Sequence, residues 1–120
     1  MISFLSNAIQ NEKIQGTCID DVRQSLQGFE GNSSRIYWTS LSATFPPDLG
    51  FQGRAGRYAQ DPINSMLNYG YGILQGEVLR AIHFAGLDPY GGYLHVDRSG
   101  RSSLVFDLME EFRQQVVDKV

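Results

Sequence analysis

The strongest constraint on the fold is a helical pattern that runs from Asp61 to Gly86. Apolar or small residues recur there at intervals of three and four, the spacing that places side chains on one face of an α-helix. Asp61 is a favourable N-cap residue, Pro62 suits the first helical position, and Gly86 is typical of the residue after a helix end. The sequence therefore predicts a long helix that ends at Ala85.

Other segments show the same periodicity. A short helix is predicted over residues 2–12, and a longer one from a candidate N-cap at Thr17 to the prolines at 46–47, weakened at Gly28 and Gly31. The last helix begins at Ser102 or Ser103. Its expected buried stripe comprises Leu104, Val105, Leu108, Met109, Phe112 and Val116. No segment alternates convincingly with the period of a strand, so an all-α fold is predicted.

Length and composition bound the remaining possibilities. A chain of 120 residues with 42% hydrophobic residues suits one domain with one core, predicted here over 1–120 with a single long loop at about 46–60. The net charge of −3 excludes a whole-chain basic signature for nucleic-acid binding, so any such contact needs a local patch. No run approaches a membrane span, and the first residues show no signal peptide. The single cysteine, Cys18, favours a reducing cytoplasm and is expected to be buried.

Two ionisable residues of the long helix have plain structural interpretations. Glu77 falls within the apolar stripe, so a partner is expected for its carboxylate, and a structural ion pair is favoured over a catalytic role. His83 lies on the opposite, polar face and is expected to be a surface residue.

A denser cluster surrounds the last helix. Asp107 and Glu110 share one flank of that helix, and His95 precedes it, so carboxylates and one imidazole can meet. Such ligands suit Mg²⁺ or Mn²⁺. Arg98 and Arg101 lie between them, where they can hold phosphate oxygens. Glu30 is a third candidate ligand. The alternative is an all-helical interaction module with a charged face and aromatic residues at its core or interface.

Four sequence blocks resemble one known family. They are EGNSSRIYW at 30–38, DPIN with LNYGYGIL from 61, AGLDPYGGYLH at 85–95 and SLVFDLMEEFR at 103–113. In this order they resemble the catalytic helical domain of the CRISPR-associated endonucleases that integrate spacers, the Cas1 family. The similarity extends over nearly the whole chain.

The resemblance implies a site. Glu30, which opens the Glu-Gly block, corresponds to a metal ligand of the family, and so does His95. Glu110 is the first choice for the remaining acid and Asp107 the second, with Glu111 as a neighbour only. The implied ion is Mg²⁺ or Mn²⁺. Four arginines are the expected DNA contacts, with ordinary surface charges as an equally open alternative: Arg54, Arg57, Arg98 and Arg101.

The resemblance also implies a reaction and partners. Members of the family act with a small ferredoxin-like protein and insert prespacer DNA into the repeat array by metal-assisted transesterification, and the full-length form is expected to be a homodimer. The family's β-rich N-terminal domain is absent from these residues, so a truncated scaffold is expected. Gly92 stands where a bulkier apolar residue is expected. The alternative function is a catalytically inactive fragment that serves as an assembly or docking module.

Overall fold

The structure, a computed structural model, describes residues 18–95 and 99–119. Within these ranges there are three α-helices, α1 (Ile19–Ser42), α2 (Pro62–Phe84) and α3 (Ser103–Phe112). A 3₁₀ turn, Pro47–Leu49, follows α1, and a π-helical turn, Arg113–Val117, follows α3. The described residues contain no strand, and the predicted all-α fold is confirmed. The helix predicted over 2–12 and the N-cap predicted at Thr17 lie outside the described residues.

The chain divides into two compact units, and the boundary between them in the sequence falls between Ala55 and Gly56. The first unit contains α1 and the first part of the long loop, and the second contains α2, α3 and the π-helical turn. The prediction of one domain over 1–120 stays a prediction.

The first unit is organised by α1 and an aromatic cluster. The backbone N–H of Cys18 donates to Asp21 Oδ2 at 3.2 Å, which satisfies a donor at the helix start. The Cys18 side chain is exposed, so the prediction that it is buried was wrong. Its position at the helix start places it beside solvent instead of on a packed face. Helix α1 continues through Gly28 and Gly31, and the buried Phe51 contacts the rings of Trp38 and Phe45 edge-on, at centroid distances of 6.3 and 5.1 Å.

In the second unit, α2 has the ends that its sequence predicts. Asp61 Oδ1 accepts a hydrogen bond from the backbone N–H of Asn64 at 2.7 Å, as an N-cap does. Pro62 occupies the first helical position. Gly86 has a backbone φ of 71°, which residues with a Cβ atom adopt only at a cost in conformational energy. The core lies between α2 and α3, and consists of Leu74, Val78, Ile82, Leu104, Val105 and Met109.

Glycine permits one close approach between elements of this unit. A Cβ on Gly70 of α2 would come within 2.7 Å of Val117 Cγ1 in the π-helical turn. Because Gly70 has no side chain, Val117 packs against the core beside it. The turn after α3 is thereby held on α2.

The predicted stripe of α3 is buried on only one of its two rows. Val105 and Met109, four residues apart, are buried against α2, whereas exposure rises along the neighbouring row to 36% at Leu108, 46% at Phe112 and 51% at Val116. In this second row the prediction of burial is confirmed for Leu104, which lies in the core, and was wrong for Leu108, Phe112 and Val116. In the described part of the unit, α3 packs against one α-helix, and one helix covers a narrower face than the stripe offers.

The two ionisable residues of α2 lie at the surface. Glu77 is exposed and forms an ion pair with Arg80, one turn along the helix. The structural ion pair was thus predicted correctly, but the placement of Glu77 within a buried stripe was wrong because that face of α2 reaches solvent. His83 is exposed, as predicted.

Candidate active site

One carboxylate organises the segment that carries His95. Asp107, in the second turn of α3, accepts hydrogen bonds from the backbone N–H groups of Tyr93 at 2.6 Å and Leu94 at 3.0 Å through Oδ2. Its Oδ1 accepts from the backbone N–H of His95 at 3.1 Å and faces His95 Nδ1 at 2.6 Å. A single side chain therefore fixes three consecutive amides and one imidazole ring.

The environment of Asp107 favours its ionised form. The side chain is only 12% exposed, and this burial by itself raises the pKa. The hydrogen bonds from the His95 ring and the three backbone N–H groups outweigh burial, and the net effect lowers the pKa of Asp107 below its ordinary value. A carboxylate accepts and does not donate, so we assign the proton to His95 Nδ1. In a neutral ring that tautomer leaves the lone pair on Nε2.

The approach of this segment to α3 depends on Gly92. A Cβ at this position would lie 2.5 Å from Ser103 Cβ and 2.6 Å from the carbonyl oxygen of His95, both far inside van der Waals contact. Ser103 is fully buried at the start of α3. The bulkier residue expected from the resemblance would not fit at position 92 of this chain, because the chain passes too close to α3 for any side chain.

Glu110 lies one turn after Asp107 and is held differently. Its Oε1 pairs with Nη1 of Arg113 at 2.5 Å, and the two side chains are 29% and 32% exposed. The Arg113 guanidinium also lies over the ring of Tyr71, 5.2 Å from its centroid, and the Tyr71 hydroxyl donates to Asp118. Arg113 was not among the predicted site residues, although its spacing of three from Glu110 is a signal for this ion pair.

One predicted DNA-binding arginine, Arg101, lies over a ring that neighbours the histidine. The guanidinium of Arg101 lies 4.9 Å from the centroid of the Phe106 ring, and that ring lies 6.0 Å from the His95 ring. Arg98 lies outside the described residues. Arg57 is exposed at the start of the second unit, and Arg54 is partly buried in the first unit.

The described residues bring two of the four predicted ligands into direct contact, His95 and Asp107. Glu30 is partly buried in α1, in the first unit, and its meeting with His95 and Glu110 stays a prediction. Among the described residues, no three His, Cys, Asp or Glu side chains form a group able to hold a metal ion. The His95 geometry nevertheless fits a ligand, because metal-binding histidines usually donate their second ring N–H to a carboxylate.

Comparison with known families decides what the chain is related to. The family model for CRISPR-associated protein Cas1 matches residues 3–120. The chain belongs to the Cas1 family. A CRISPR-associated endonuclease Cas1 of Archaeoglobus fulgidus is 54% identical over 113 residues, which cover 89% of this chain and 33% of that protein. A second, from Francisella tularensis subsp. novicida, is 45% identical over 118 residues, or 97% of this chain and 37% of that protein.

Solved structures extend the similarity. A casposase bound to integration product matches with a TM-score of 0.71 and 33% identity, over 93% of this chain and 34% of that one. A partial Cas6-RT-Cas1–Cas2 complex matches with a TM-score of 0.73 and 31% identity, over 81% of this chain and 29% of that one. The chain thus spans about a third of the length of the Cas1 relatives above. No helix in the described residues is long and apolar enough to cross a membrane.

Proposed function

We propose that these residues form the catalytic helical part of a metal-dependent DNA endonuclease and integrase that acts in CRISPR spacer acquisition. Membership of the Cas1 family supports this role, as do relatives named as endonucleases and the similarity to a casposase bound to integration product. The structural observation that carries the proposal is the His95–Asp107 pair, in which a largely buried carboxylate holds one ring nitrogen and leaves the other for a ligand.

The proposed ligands are Glu30, His95 and Glu110, with Mg²⁺ or Mn²⁺ as the ion. An ion held there would stabilise charge on the attacked phosphate and help to ionise the attacking hydroxyl. We assign Asp107 a positioning role, because its two oxygens already accept four hydrogen bonds. Glu110 is the better ligand candidate, since exchanging its partly exposed ion pair with Arg113 for a cation leaves the His95 segment intact.

The chain's own residues then serve the reaction by orientation. Asp107 holds the His95 ring in its orientation. The Arg101 guanidinium lies over the Phe106 ring, which neighbours the His95 ring, and a guanidinium at this place can bind phosphate oxygens. In the proposed transesterification, the 3′-hydroxyl of a prespacer strand attacks a phosphodiester of the repeat array. A new P–O bond forms, the old one breaks, and a strand with a free 3′-hydroxyl leaves.

The proposed partners follow the family. They are prespacer and repeat-array DNA, a small ferredoxin-like adaptation protein and a second copy of the full-length protein, in the cytoplasm. The similarity to a partial complex whose name includes Cas1 and Cas2 supports an assembly with a Cas partner. Arg54, Arg57, Arg98 and Arg101 are the proposed DNA contacts.

Calorimetric titration with Mn²⁺ tests the site. We expect His95→Ala and Glu110→Gln to weaken Mn²⁺ binding by at least about 10- to 100-fold, the range seen when even outer-shell partners of a metal are removed. Glu111→Gln is the matched control, because this exposed acid is the sequence neighbour of Glu110 and is not a proposed ligand. Equal affinity in all four proteins would place the site elsewhere.

An assay for cleavage of branched DNA in the presence of Mn²⁺ then distinguishes an active enzyme from an inactive member of the family. Strand cleavage that requires His95 and Glu110 supports the enzymatic proposal. Tight Mn²⁺ binding without turnover would instead support the alternative, an inactive fragment that acts as an assembly or docking module. The exposed row Leu108, Phe112 and Val116 is the feature that favours this alternative, since unburied apolar residues at helical spacing suit a protein contact.

A further inference from the structure

Arg113 places a positive charge on one of the proposed metal ligands. It begins the π-helical turn after α3, and its Nη1 pairs with Oε1 of Glu110. Among the described residues, Glu110 is the carboxylate with which Arg113 forms an ion pair. The charge of Glu110 is therefore balanced by the chain itself. A guanidinium and a divalent ion on the same carboxylate repel each other, so binding of an ion favours departure of the guanidinium.

The ion pair is weak enough to be exchanged. The side chains of Glu110 and Arg113 are 29% and 32% exposed, so water and salt screen their attraction. A divalent ion carries twice the charge of a guanidinium and binds oxygen more closely, at about 2.0–2.1 Å for Mg²⁺. Glu110 can therefore exchange Arg113 for such an ion when the other ligands bind it as well.

Contacts that do not involve Glu110 hold Arg113 in place. Its guanidinium lies over the Tyr71 ring, whose hydroxyl donates to Asp118. The backbone N–H of Asp118 in turn donates to the carbonyl oxygen of Arg113 at 3.0 Å. These three contacts form a closed ring, and Tyr71 also packs against the core. The guanidinium can therefore stay over Tyr71 when Glu110 turns away from it.

Arg113 also has a donor that its contacts do not use. Its Nε–H is buried and has no hydrogen-bond partner among the described residues. Buried donors of this kind are uncommon in folded proteins and indicate strain or a functional role. A guanidinium has five N–H donors, and a phosphate group can accept from two of them side by side. An arginine with donors to spare, once released from its carboxylate, therefore suits a phosphate of DNA.

We propose that Arg113 changes partner when the metal site is loaded. Before an ion binds, the guanidinium neutralises Glu110. Once Glu110 binds the ion, the guanidinium, held over Tyr71, binds a phosphate of the DNA backbone. The inference rests on the proposed function in taking Glu110 as a metal ligand and DNA as the substrate. It adds a DNA contact that only the loaded site offers, so binding of the ion and binding of DNA favour each other.

Calorimetric titration with Mn²⁺, without DNA, tests the competition. Arg113→Gln should bind Mn²⁺ about two- to fivefold more tightly than wild type, because the ion no longer displaces a partly exposed ion pair. Arg113→Lys keeps the competing charge and should bind with nearly the wild-type affinity. Arg80→Gln is the matched control, because it removes the same charge from another ion pair of the same spacing and unit, and it should leave the affinity unchanged.

The direction of the change separates this inference from a structural role. If Arg113 only orients Glu110 towards the ion, Arg113→Gln should weaken Mn²⁺ binding, and if the ion leaves the pair intact, the affinity should stay the same. Either result overturns the inference. A Glu110→Gln variant with wild-type Mn²⁺ affinity would refute the proposed metal site as well. Weaker binding by Glu110→Gln without tighter binding by Arg113→Gln would refute the change of partner alone.

The wild-type chain allows a test without any substitution at Arg113. In NMR spectra, the guanidinium signals of Arg113 should change along the same Mg²⁺ saturation curve as those of the His95 ring, because a guanidinium released from a carboxylate rotates more freely. The change should disappear in Glu110→Gln, and the signals of Arg80 should stay constant throughout. A response of His95 without one of Arg113 would contradict the proposal even if Arg113→Gln does not fold.

DNA binding tests the second half of the proposal. In Mn²⁺, Arg113→Gln should lower the dependence of log affinity on log salt, for a short duplex, by about 0.9, the value expected for one phosphate of B-DNA. With a chelator in place of Mn²⁺, Arg113→Gln and wild type should have equal slopes, because Glu110 then holds the guanidinium. Equal slopes in Mn²⁺, or the same difference in chelator, would show that Arg113 is not a phosphate contact of the loaded site.

Discussion

At the scale of single residues, Asp107 shows how one side chain can define a site. Three successive backbone N–H groups and a ring nitrogen form hydrogen bonds with its two oxygens. The conformation of the loop from Tyr93 to His95 is therefore fixed by Asp107, which lies at least twelve positions later in the sequence. Charge-assisted hydrogen bonds of this kind are stronger than neutral ones. Asp107 therefore contributes to stability as well as to the orientation of the imidazole.

The first prediction concerns the acid stability of Asp107. Its lowered pKa means that its contribution to the free energy of unfolding is fully present above the unfolded value of about 3.9, and is lost as the pH falls through the folded value. At about pH 7, Asp107→Asn should lower the free energy of unfolding by about 1–3 kcal/mol. The difference from wild type should shrink below about pH 4.

Urea unfolding followed by circular dichroism, with a chelator present, measures this difference across the pH range. Asp48→Asn is the control, because Asp48 is an exposed carboxylate in the 3₁₀ turn. A destabilisation by Asp107→Asn that stays constant down to about pH 2 would show that the carboxylate charge is not what holds the loop.

At the scale of elements, the sequence determines helix ends well where the signals are local. Asp61, Pro62 and Gly86 act through their own backbone and capping preferences, so α2 begins and ends as predicted. The exposure of Leu108 and Phe112 depends instead on which elements cover α3. Helical periodicity alone carries no information about which elements those are.

The same distinction applies to the candidate site. The spacing of Asp107 and Glu110 indicates a shared helix flank, and the resemblance to the Cas1 family points to His95. Neither reveals that Asp107 binds the backbone of residues 93–95, because that contact depends on how closely the loop approaches α3. Gly92 permits this approach, and from the sequence alone it reads as a departure from the family.

The second prediction tests that approach. Gly92→Ala should lower the free energy of unfolding by about 1–3 kcal/mol, the usual cost of inserting a methyl group into a packed region. It should also displace His95, since the new Cβ would overlap the carbonyl oxygen of that residue and the side chain of Ser103. Nitrogen chemical shifts of the His95 ring, measured by NMR, would report a weakened bond from Nδ1 to Asp107.

Gly76→Ala is the matched control, because no atom outside its own helix lies within 4 Å of a Cβ at this position of α2. In the middle of an exposed helix face, alanine is favoured over glycine by about 0.5–1 kcal/mol, so this variant should be slightly more stable. Equal stability of the two variants would mean that position 92 is not tightly packed.

At the scale of the whole molecule, a few local positive charges have to compensate for a net charge that disfavours DNA binding. A net charge of −3 repels DNA at long range, so the proposed contacts depend on a few arginines. They fall into two groups, with Arg54 in the first unit and Arg57 and Arg101 in the second. The proposed function thus requires both units to act on the same DNA.

The final prediction asks whether Glu30 and Glu110 bind the same ion. Glu30→Gln and Glu110→Gln should each weaken Mn²⁺ binding, and the double variant should be little weaker than the weaker single variant, because a shared site is already lost after one ligand is removed. Two independent sites would give additive losses. Calorimetry of the four proteins yields the coupling free energy, and Glu77→Gln combined with Glu110→Gln supplies an additive reference, since exposed Glu77 pairs with Arg80. A coupling no larger than that reference would remove Glu30 from the metal site and confine the chemistry to the second unit.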